Sequence, residues 1–225
     1  MARKRPRWYF SFRSPYSWLA HHDLLTHYPD VAEQIDWLPF WEPDEGYRQQ
    51  LDASDVRLPY VPMSREKHLY ILQDVRRLAR DRGLANAWPV DRSPRWEVSH
   101  LAYLVAEEHG LGREFIAAVY RARWEDGFDI CDPEVIGGIG KELGMDPRLL
   151  AGACDDPGVR ARGELALDAV HRDGVFGVPY FITGFDKFWG VDRLSAFVAA
   201  LRTPKAVKRI PAQAPAPDGA LSPTT

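Results

Sequence analysis

The stretch FSFRSPYSWLA, from Phe10 to Ala20, joins two kinds of local structure. Before Ser14, aromatic residues alternate with polar ones, which is the pattern of a buried strand. Pro15 then stands where a helix can begin. The N–H groups of a first helical turn have no intrahelical partner, so proline, which lacks an N–H, is tolerated there. Ser14 and Ser17 lie three positions apart at the junction. The elements predicted here are a strand over 7–12 and a helix over 15–28.

The two serines occupy the positions that cysteines hold in the CPYC motif of thiol-disulfide enzymes. A helix N-terminus carries partial positive charge and unpaired N–H groups, so it stabilises a nearby anion, which in those enzymes is the enzyme's own thiolate. A hydroxyl is neutral at pH 7 and does not change redox state, but it can donate a hydrogen bond to a thiolate of another molecule. The motif predicts a site for a small-molecule thiol and no disulfide reductase or oxidase activity. The alternative is that Ser14 is a plain helix cap.

Composition excludes several classes of function. The chain has 225 residues, enough to bury a sizeable core, and a net charge of −3, which gives no reason to expect binding to nucleic acid or membranes. The basic start is not followed by an apolar run of signal-peptide or transmembrane length. The two cysteines, Cys131 and Cys154, have no CxxC spacing, so they are interpreted as incidental thiols of a reducing compartment. We therefore expect a cytoplasmic protein.

The middle of the chain is predicted to be helical and its ends to form a sheet. A second strand is expected over 35–41, followed by a Pro-containing loop to about residue 62. An amphipathic helix at 64–82 opens the helical block, and Gly83 closes that helix. Further helices are predicted at 94–109, 112–125, 132–143 and 157–172. Two short strands with a turn at Gly184 and a final helix follow.

This order is strand–helix–strand, a long helical insert, then strand–strand–helix. It predicts an α/β protein with a thioredoxin-like fold and a large all-helical insertion between its two halves. The thioredoxin-like domain would comprise residues 1–45 and 173–202. Residues 46–172 would form the connecting loop and the insertion, over the active end of the sheet, and the Pro- and Ala-rich residues 203–225 a disordered tail.

Four segments together resemble one family. They are FSFRSPYSWLA, KHLYILQDVRRLA, VYRARWEDGFDI and GVFGVPYFITGFDKFWGVDRL. In this order and spacing they are similar to the DsbA-like branch that contains 2-hydroxychromene-2-carboxylate isomerase and kappa-class glutathione transferase. The resemblance runs from about Tyr9 to Leu201. It implies glutathione or another low-molecular-weight thiol as cofactor, a small-molecule substrate and a homodimer.

The resemblance also implies roles for particular residues. Ser14 would hydrogen-bond the cofactor sulfur as the catalytic group, and the backbone of Val178, before a candidate cis Pro179, would pair with the cysteinyl part of the thiol. Lys67 and Asp192 would hold the two charged ends of the cofactor. Each has a simpler alternative. Lys67 would be a solvated lysine at the start of its helix, and Asp192 would be a cap of the last helix. The residues matched to the substrate pocket are Trp88, Pro89 and Trp124, and the tryptophans could equally be core.

Two departures from the family pattern fall on the side that recognises glutathione. Val191 replaces a polar residue before Asp192, and the segment LDASDVRLPYVP lacks the asparagine that the family often supplies. The identity of the thiol therefore stays open. Three functions remain: a thiol-dependent isomerase of an electron-poor conjugated aromatic or polyene molecule, which we prefer, a kappa-class-like glutathione transferase, and a non-catalytic protein that binds a ligand or partner.

No metal site is expected. The histidines, including His21 and His100, lack HExxH or other metal-ligand spacing, and we interpret them as helix-surface residues.

Overall fold

A computed structural model describes residues 4–54, 56–58, 63–92 and 94–203. Within these residues the strands are β1 (Arg7–Phe10), β2 (Asp36–Pro39), β3 (Tyr180–Thr183) and β4 (Asp186–Trp189). The helices are α1 (Pro15–His27), α2 (Pro29–Gln34), α3 (Glu45–Ala53), α4 (Arg65–Asp81), α5 (Glu97–Glu108), α6 (Gly112–Trp124), α7 (Pro133–Glu142), α8 (Pro147–Ala151), α9 (Pro157–Asp173) and α10 (Leu194–Arg202).

The four strands form one mixed sheet in the order β2–β1–β3–β4. β1 pairs in parallel with β2, with Trp8 opposite Trp37, and α1 makes the crossover between them. β3 pairs antiparallel with β1 and with β4, and Gly184 (φ 62°) turns the chain between the last two strands. Strands from both ends of the chain thus share a single sheet, which confirms the predicted thioredoxin-like fold.

Both faces of the central strand are covered. Every residue of β1 is buried, and Trp8 and Phe10 point into the main core together with Trp37 and Phe181. Tyr9 faces the other side, where a smaller apolar cluster includes Val170 and Ile182. The burial of every residue of β1 agrees with the buried strand that the sequence predicts over 7–12.

All described secondary structure between β2 and β3 is helical. Helix α5 lies at the centre of this block, since most of its residues are buried and it contacts α6, α7, α8 and α9. It also contacts the sheet, because the Tyr103 hydroxyl donates to the carbonyl of Trp37 at 2.8 Å. Helix α5 is therefore packed against the sheet at β2.

Three helices differ from the sequence prediction. Residues 45–53, expected to be loop, form α3, which Asp44 caps by accepting from the Tyr47 N–H at 2.8 Å. The predicted helix over 15–28 is followed directly by α2, and α8 was also missed. The predicted tail, apart from Thr203, lies outside the described residues, as do residues 59–62 of the predicted loop.

Candidate active site

Ser14 caps helix α1 at the end of the sheet where β1 and β2 finish. Its backbone is extended (φ −86°, ψ 116°), and its Oγ accepts a hydrogen bond from the Ser17 N–H at 3.2 Å. The same Oγ lies 3.4 Å from the Val178 carbonyl oxygen, to which the hydroxyl can donate. Pro15 has no N–H and the Ser17 N–H is capped, so this end of α1 suits an anion chiefly through the partial positive charge of the helix N-terminus.

The second hydroxyl of the motif is internal. Ser17 is fully buried, and its Oγ accepts from the backbone N–H of Ser11 at 3.3 Å. This bond fastens α1 to the chain that leaves β1. Of the two motif serines, Ser14 is the half-buried one, and its hydroxyl lies beside the strand entrance at Val178.

The Val178–Pro179 peptide bond is cis, which confirms the sequence expectation. The Pro179 carbonyl accepts from the Gly190 N–H at 3.0 Å, so the two ends of the β3–β4 hairpin are joined. Gly190 has φ 108°, and a Cβ there would lie 2.6 Å from Asp192 Oδ1. The backbone of Gly190 is thus needed both for the turn and for the space that the Asp192 carboxylate occupies.

Asp192 lies in a short 3-10 turn, Val191–Arg193, that contacts α1. Its carboxylate is exposed and lies 3.6 Å from the Arg193 guanidinium. The structure therefore brings Ser14, Val178 and the turn carrying Asp192 to one end of α1. The predicted contact of Asp192 with a cofactor amine stays a prediction.

Lys67 projects beyond the same end of α1. The Tyr16 hydroxyl donates to Asp74 at 2.8 Å, and Arg82 binds Asp23 through two hydrogen bonds of 2.7 and 2.6 Å. The later residue of α1, Asp23, pairs with the later residue of α4, Arg82. Helices α1 and α4 therefore lie side by side and run in the same direction. Lys67 precedes Asp74 by about two turns and shares its face of α4. Since Tyr16 is in the first turn of α1, the exposed Lys67, about 10 Å before Asp74 along α4, lies toward the N-terminal side of α1.

The three predicted pocket residues lie together. The Trp88 ring is 5.5 Å from the Trp124 ring and 6.1 Å from the His68 ring at the start of α4, and Trp124 stacks on Trp18 at 6.2 Å. Trp88 is half-buried, whereas Pro89 is buried and Trp124 is only 2% exposed. Trp88 is therefore the member of this group with surface for a substrate. Substrate contact stays a prediction for all three.

A cavity of about 580 Å³ beside the motif was not predicted. Its lining includes Glu42 and Trp96, and Arg13, which directly precedes Ser14, pairs with Glu42 and lies over the Trp96 ring at 5.6 Å. The buried Glu97 carboxylate accepts from Trp41 Nε1 at 3.1 Å, and burial raises its pKa. The cavity opens past the carboxyl ends of parallel strands, where α/β sheets bind ligands. Its polar residues come from distant segments, so no local sequence pattern marks it.

Two of the histidines expected on helix surfaces are buried instead. His21 is 7% exposed and His100 is 0% exposed. Burial lowers the pKa of His21 to about 4 and that of His100 to about 3, so both rings are neutral near pH 7. Among the residues described, no cluster of three or more His, Cys, Asp or Glu side chains is arranged to hold a metal ion.

Both cysteines are free thiols. Cys131 is half-buried, Cys154 is buried, and they do not form a disulfide with each other. Burial raises the pKa of Cys131 to about 12 and also raises that of Cys154. A thiol with a raised pKa is a poor nucleophile at neutral pH.

Within the described part of the chain, no helix combines the length and apolar character needed to cross a bilayer.

A parallel β–α–β unit, an antiparallel hairpin entered through a cis proline, and a helix N-terminus facing that proline define a thioredoxin-like domain. The family model for the DSBA-like thioredoxin domain matches residues 7–202, and the chain belongs to this family. Among curated proteins it is 27% identical over 190 residues to a 2-hydroxychromene-2-carboxylate isomerase of Sphingobium xenophagum, with 83% of this chain and 92% of the relative covered. A 2-hydroxychromene-2-carboxylate isomerase of Pseudomonas putida is 23% identical over 199 residues, covering 86% and 92%.

Solved structures agree on the fold. A 2-hydroxychromene-2-carboxylate isomerase superimposes with a TM-score of 0.70 at 22% identity, covering 87% of this chain and 93% of the other. A probable DsbA oxidoreductase from Streptomyces coelicolor gives a TM-score of 0.64 at 20% identity, covering 98% and 99%. Isomerases and oxidoreductases thus share this fold, so the reaction must be argued from the site.

Proposed function

We propose that the protein is an isomerase that uses glutathione or another low-molecular-weight thiol to interconvert forms of an electron-poor, conjugated aromatic or polyene molecule. The observation that carries this proposal is Ser14, a hydroxyl at the position of a reactive cysteine, placed at the N-terminus of α1 beside Val178. The similarity to two 2-hydroxychromene-2-carboxylate isomerases supports the reaction type. A cytoplasmic homodimer is the form that we expect to be active.

The residues at this end of α1 fit a thiolate. The bond from the Ser14 hydroxyl to the Val178 carbonyl is long, at 3.4 Å, so a sulfur anion beside Ser14 would compete for that hydrogen. The hydroxyl and the helix N-terminus both favour the ionised form of such a group and lower its pKa. When bound, the thiol would supply a nucleophilic sulfur that adds to a conjugated C=C bond and leaves again, which permits rotation about that bond.

Two exposed charges would hold the two ends of a peptide thiol. The exposed Lys67 ammonium at the start of α4 would bind a carboxylate. The exposed Asp192 carboxylate, in the turn that contacts α1, would bind an amine. The half-buried Trp88 offers a flat apolar surface next to these groups for the second molecule. Held in this way, the thiol and the substrate would react without losing further translational freedom.

The absence of a cysteine at the motif separates this proposal from a disulfide oxidoreductase. A redox cycle on the enzyme would have to use Cys131 or Cys154, and burial raises the pKa of both. A variant carrying Cys131→Ser and Cys154→Ser should therefore keep its activity. Insulin reduction by the wild-type protein above the level of this variant would support an oxidoreductase instead.

The deciding experiment counts turnovers. The protein is incubated with 2-hydroxychromene-2-carboxylate and limiting glutathione, and the products are separated by chromatography. Many product molecules per thiol with no conjugate would support isomerisation, whereas one conjugate per thiol consumed would identify a transferase. Full activity after complete removal of thiols would refute thiol dependence. Binding of the substrate without turnover would identify a non-catalytic binding protein.

Ser14→Ala tests the role of the hydroxyl within the same system. Losing one hydrogen bond to a charged group costs about 1.5–3 kcal/mol, so the pKa of the bound glutathione thiol should rise by about one to two units. Absorbance of the thiolate near 240 nm measures it. An unchanged thiol pKa would reduce Ser14 to a helix cap.

A further inference from the structure

Three side chains of the helical insertion hydrogen-bond to the backbone of Ser11 and Phe12, just before Ser14. The Phe12 N–H donates to His100 Nε2 at 3.1 Å, and Trp124 Nε1 donates to the Phe12 carbonyl at 3.1 Å. The Tyr120 hydroxyl donates to the Ser11 carbonyl at 3.3 Å. The three side chains come from α5 and α6 and are at most 2% exposed. One peptide segment is thus held from the helical insertion by three buried polar atoms.

The ring of His100 is fixed in one tautomer by its partners. Its Nδ1 lies 2.7 Å from the Trp96 carbonyl oxygen, which can only accept, so Nδ1 carries the hydrogen. Its Nε2 faces the Phe12 N–H, which can only donate, so Nε2 is the acceptor. The imidazole therefore bridges the start of α5 to the segment before Ser14.

The bonds to Ser11 and Phe12 reach Ser14 directly. The Ser11 carbonyl, which accepts from Tyr120, also accepts from the Ser14 N–H at 3.1 Å. A shift of this carbonyl would move the Ser14 backbone and with it an Oγ that already lies 3.4 Å from the Val178 carbonyl oxygen. Catalytic groups must be held to within about 0.5 Å, so a small shift would be felt.

We propose that Tyr120, Trp124 and His100 are positioning residues that hold the Ser14 hydroxyl at the thiol site. This inference rests on the proposed function, because it gives Ser14 a bound thiol to act on. Phenylalanine rings would fill the same core without burying polar atoms, which are costly to bury unless they are paired. The presence of a buried hydroxyl, indole N–H and imidazole is explained by their hydrogen bonds to the backbone of Ser11 and Phe12. In this proposal Trp124 acts through Ser14.

The chain supplies matched controls for two of the three bonds. Tyr103 is also a buried tyrosine of the insertion, and its hydroxyl donates to the Trp37 carbonyl at 2.8 Å, in β2 and not in the motif. Tyr120→Phe and Tyr103→Phe therefore remove the same group from the same kind of bond. For Trp124→Phe the control is Trp37→Phe, since Trp37 Nε1 donates to the Ala32 carbonyl at 3.0 Å.

The experiment compares each variant with its control by two measurements. Spectroscopic titration of bound glutathione should show a thiol pKa raised by about one unit in Tyr120→Phe and Trp124→Phe, and unchanged in the two controls. Hydrogen exchange should be about tenfold faster at the backbone amides of residues 11–14, 16 and 17 in the test variants, at urea midpoints similar to those of the controls.

Each outcome decides the inference. Equal thiol pKa values and equal exchange in test and control variants would overturn it and leave these bonds with a merely structural role. If the wild-type protein binds no glutathione, the proposed function fails, and faster exchange at the same amides confined to the test variants still supports positioning of Ser14. If Tyr120→Phe does not fold, the Trp124→Phe pair gives the same comparison.

Discussion

The buried ring of His21 should make the protein sensitive to mild acid. It lies in α1 against the rings of Trp8, Trp37 and Tyr120, at 6.4, 5.8 and 5.2 Å between centroids. Its Nε2 has no hydrogen-bond partner. Burial, and to a smaller extent the neighbouring His22, lowers the pKa of His21 from 6.5 to about 4. His21 thus binds a proton more weakly in the folded protein than in the unfolded chain.

The sign and size of the effect follow from the two pKa values. Well above pH 6.5 neither state is protonated at His21 and nothing is lost. As the pH falls from 6.5 towards 4, the unfolded state gains a proton first, and each pH unit costs about 1.4 kcal/mol of unfolding free energy. At pH 5 the loss is about 2 kcal/mol. His100, with a pKa of about 3, adds a similar loss, so the two rings together cost about 4 kcal/mol.

Urea unfolding at pH 8, 7, 6 and 5 measures this loss. His21→Leu should unfold at pH 8 with a free energy within about 1 kcal/mol of wild type, because the buried Nε2 that it removes is unpaired and the volumes are similar. Between pH 8 and 5 it should lose about 2 kcal/mol less than wild type. His27→Gln, on the exposed end of the same helix, gives the background for changing one histidine. Equal pH dependence of His21→Leu and His27→Gln would refute the reasoning.

Two further outcomes are expected. Lys67→Ala and Asp192→Ala should each weaken glutathione binding by about ten- to over a hundredfold, the cost of one charge-assisted hydrogen bond, while the rate at saturating thiol changes less; calorimetry and steady-state kinetics separate the two, and unchanged affinity in both variants would place the cofactor elsewhere. Gly163→Ala should destabilise the fold by about 1–3 kcal/mol because its Cβ would lie 2.4 Å from the Tyr47 hydroxyl, whereas Gly138→Ala, with open space around it, should stabilise α7 by about 0.5–1 kcal/mol. Equal urea midpoints for the two alanine variants would contradict this packing.

The sheet and most helices were predictable because their signals are local. Strand β1 lies in a segment where aromatic residues alternate with polar ones, and the helices of the insertion carry caps and apolar periodicity, as at Asp132 and Pro133. Helix α3 was missed because Pro43 and Gly46 indicate a loop. Its stability comes from tertiary contacts, since Tyr47 is buried and its hydroxyl donates to the Arg160 carbonyl of α9 at 2.8 Å. No local window contains both partners.

In the candidate site, too, local features were predictable from the sequence and tertiary contacts were not. Ser14 and Val178 were predicted as neighbours because they flank adjacent elements of a recognised topology, and the structure places them 3.4 Å apart. The spacing of His100 fits no metal site, so the sequence predicts no site role for it. Its partner in the structure is a backbone N–H, which has no sequence signature. Trp124 has the same helical periodicity whether its indole faces a ligand or the Phe12 carbonyl. Sequence patterns indicate which residues are buried, but not which backbone atom a buried polar group will meet.

The two motif serines explain why a site of this shape would take its sulfur from outside. Ser17 Oγ is buried and bonded to the Ser11 N–H, so the position of a second cysteine serves the joint between β1 and α1. A disulfide needs two sulfurs that can reach each other, and here one of the two positions is already used for structure. Ser14 keeps a hydroxyl that can turn from the Val178 carbonyl to a ligand. One adjustable donor at the positive end of a helix can stabilise one external anion, and that is the requirement of a thiol cofactor held beside its substrate.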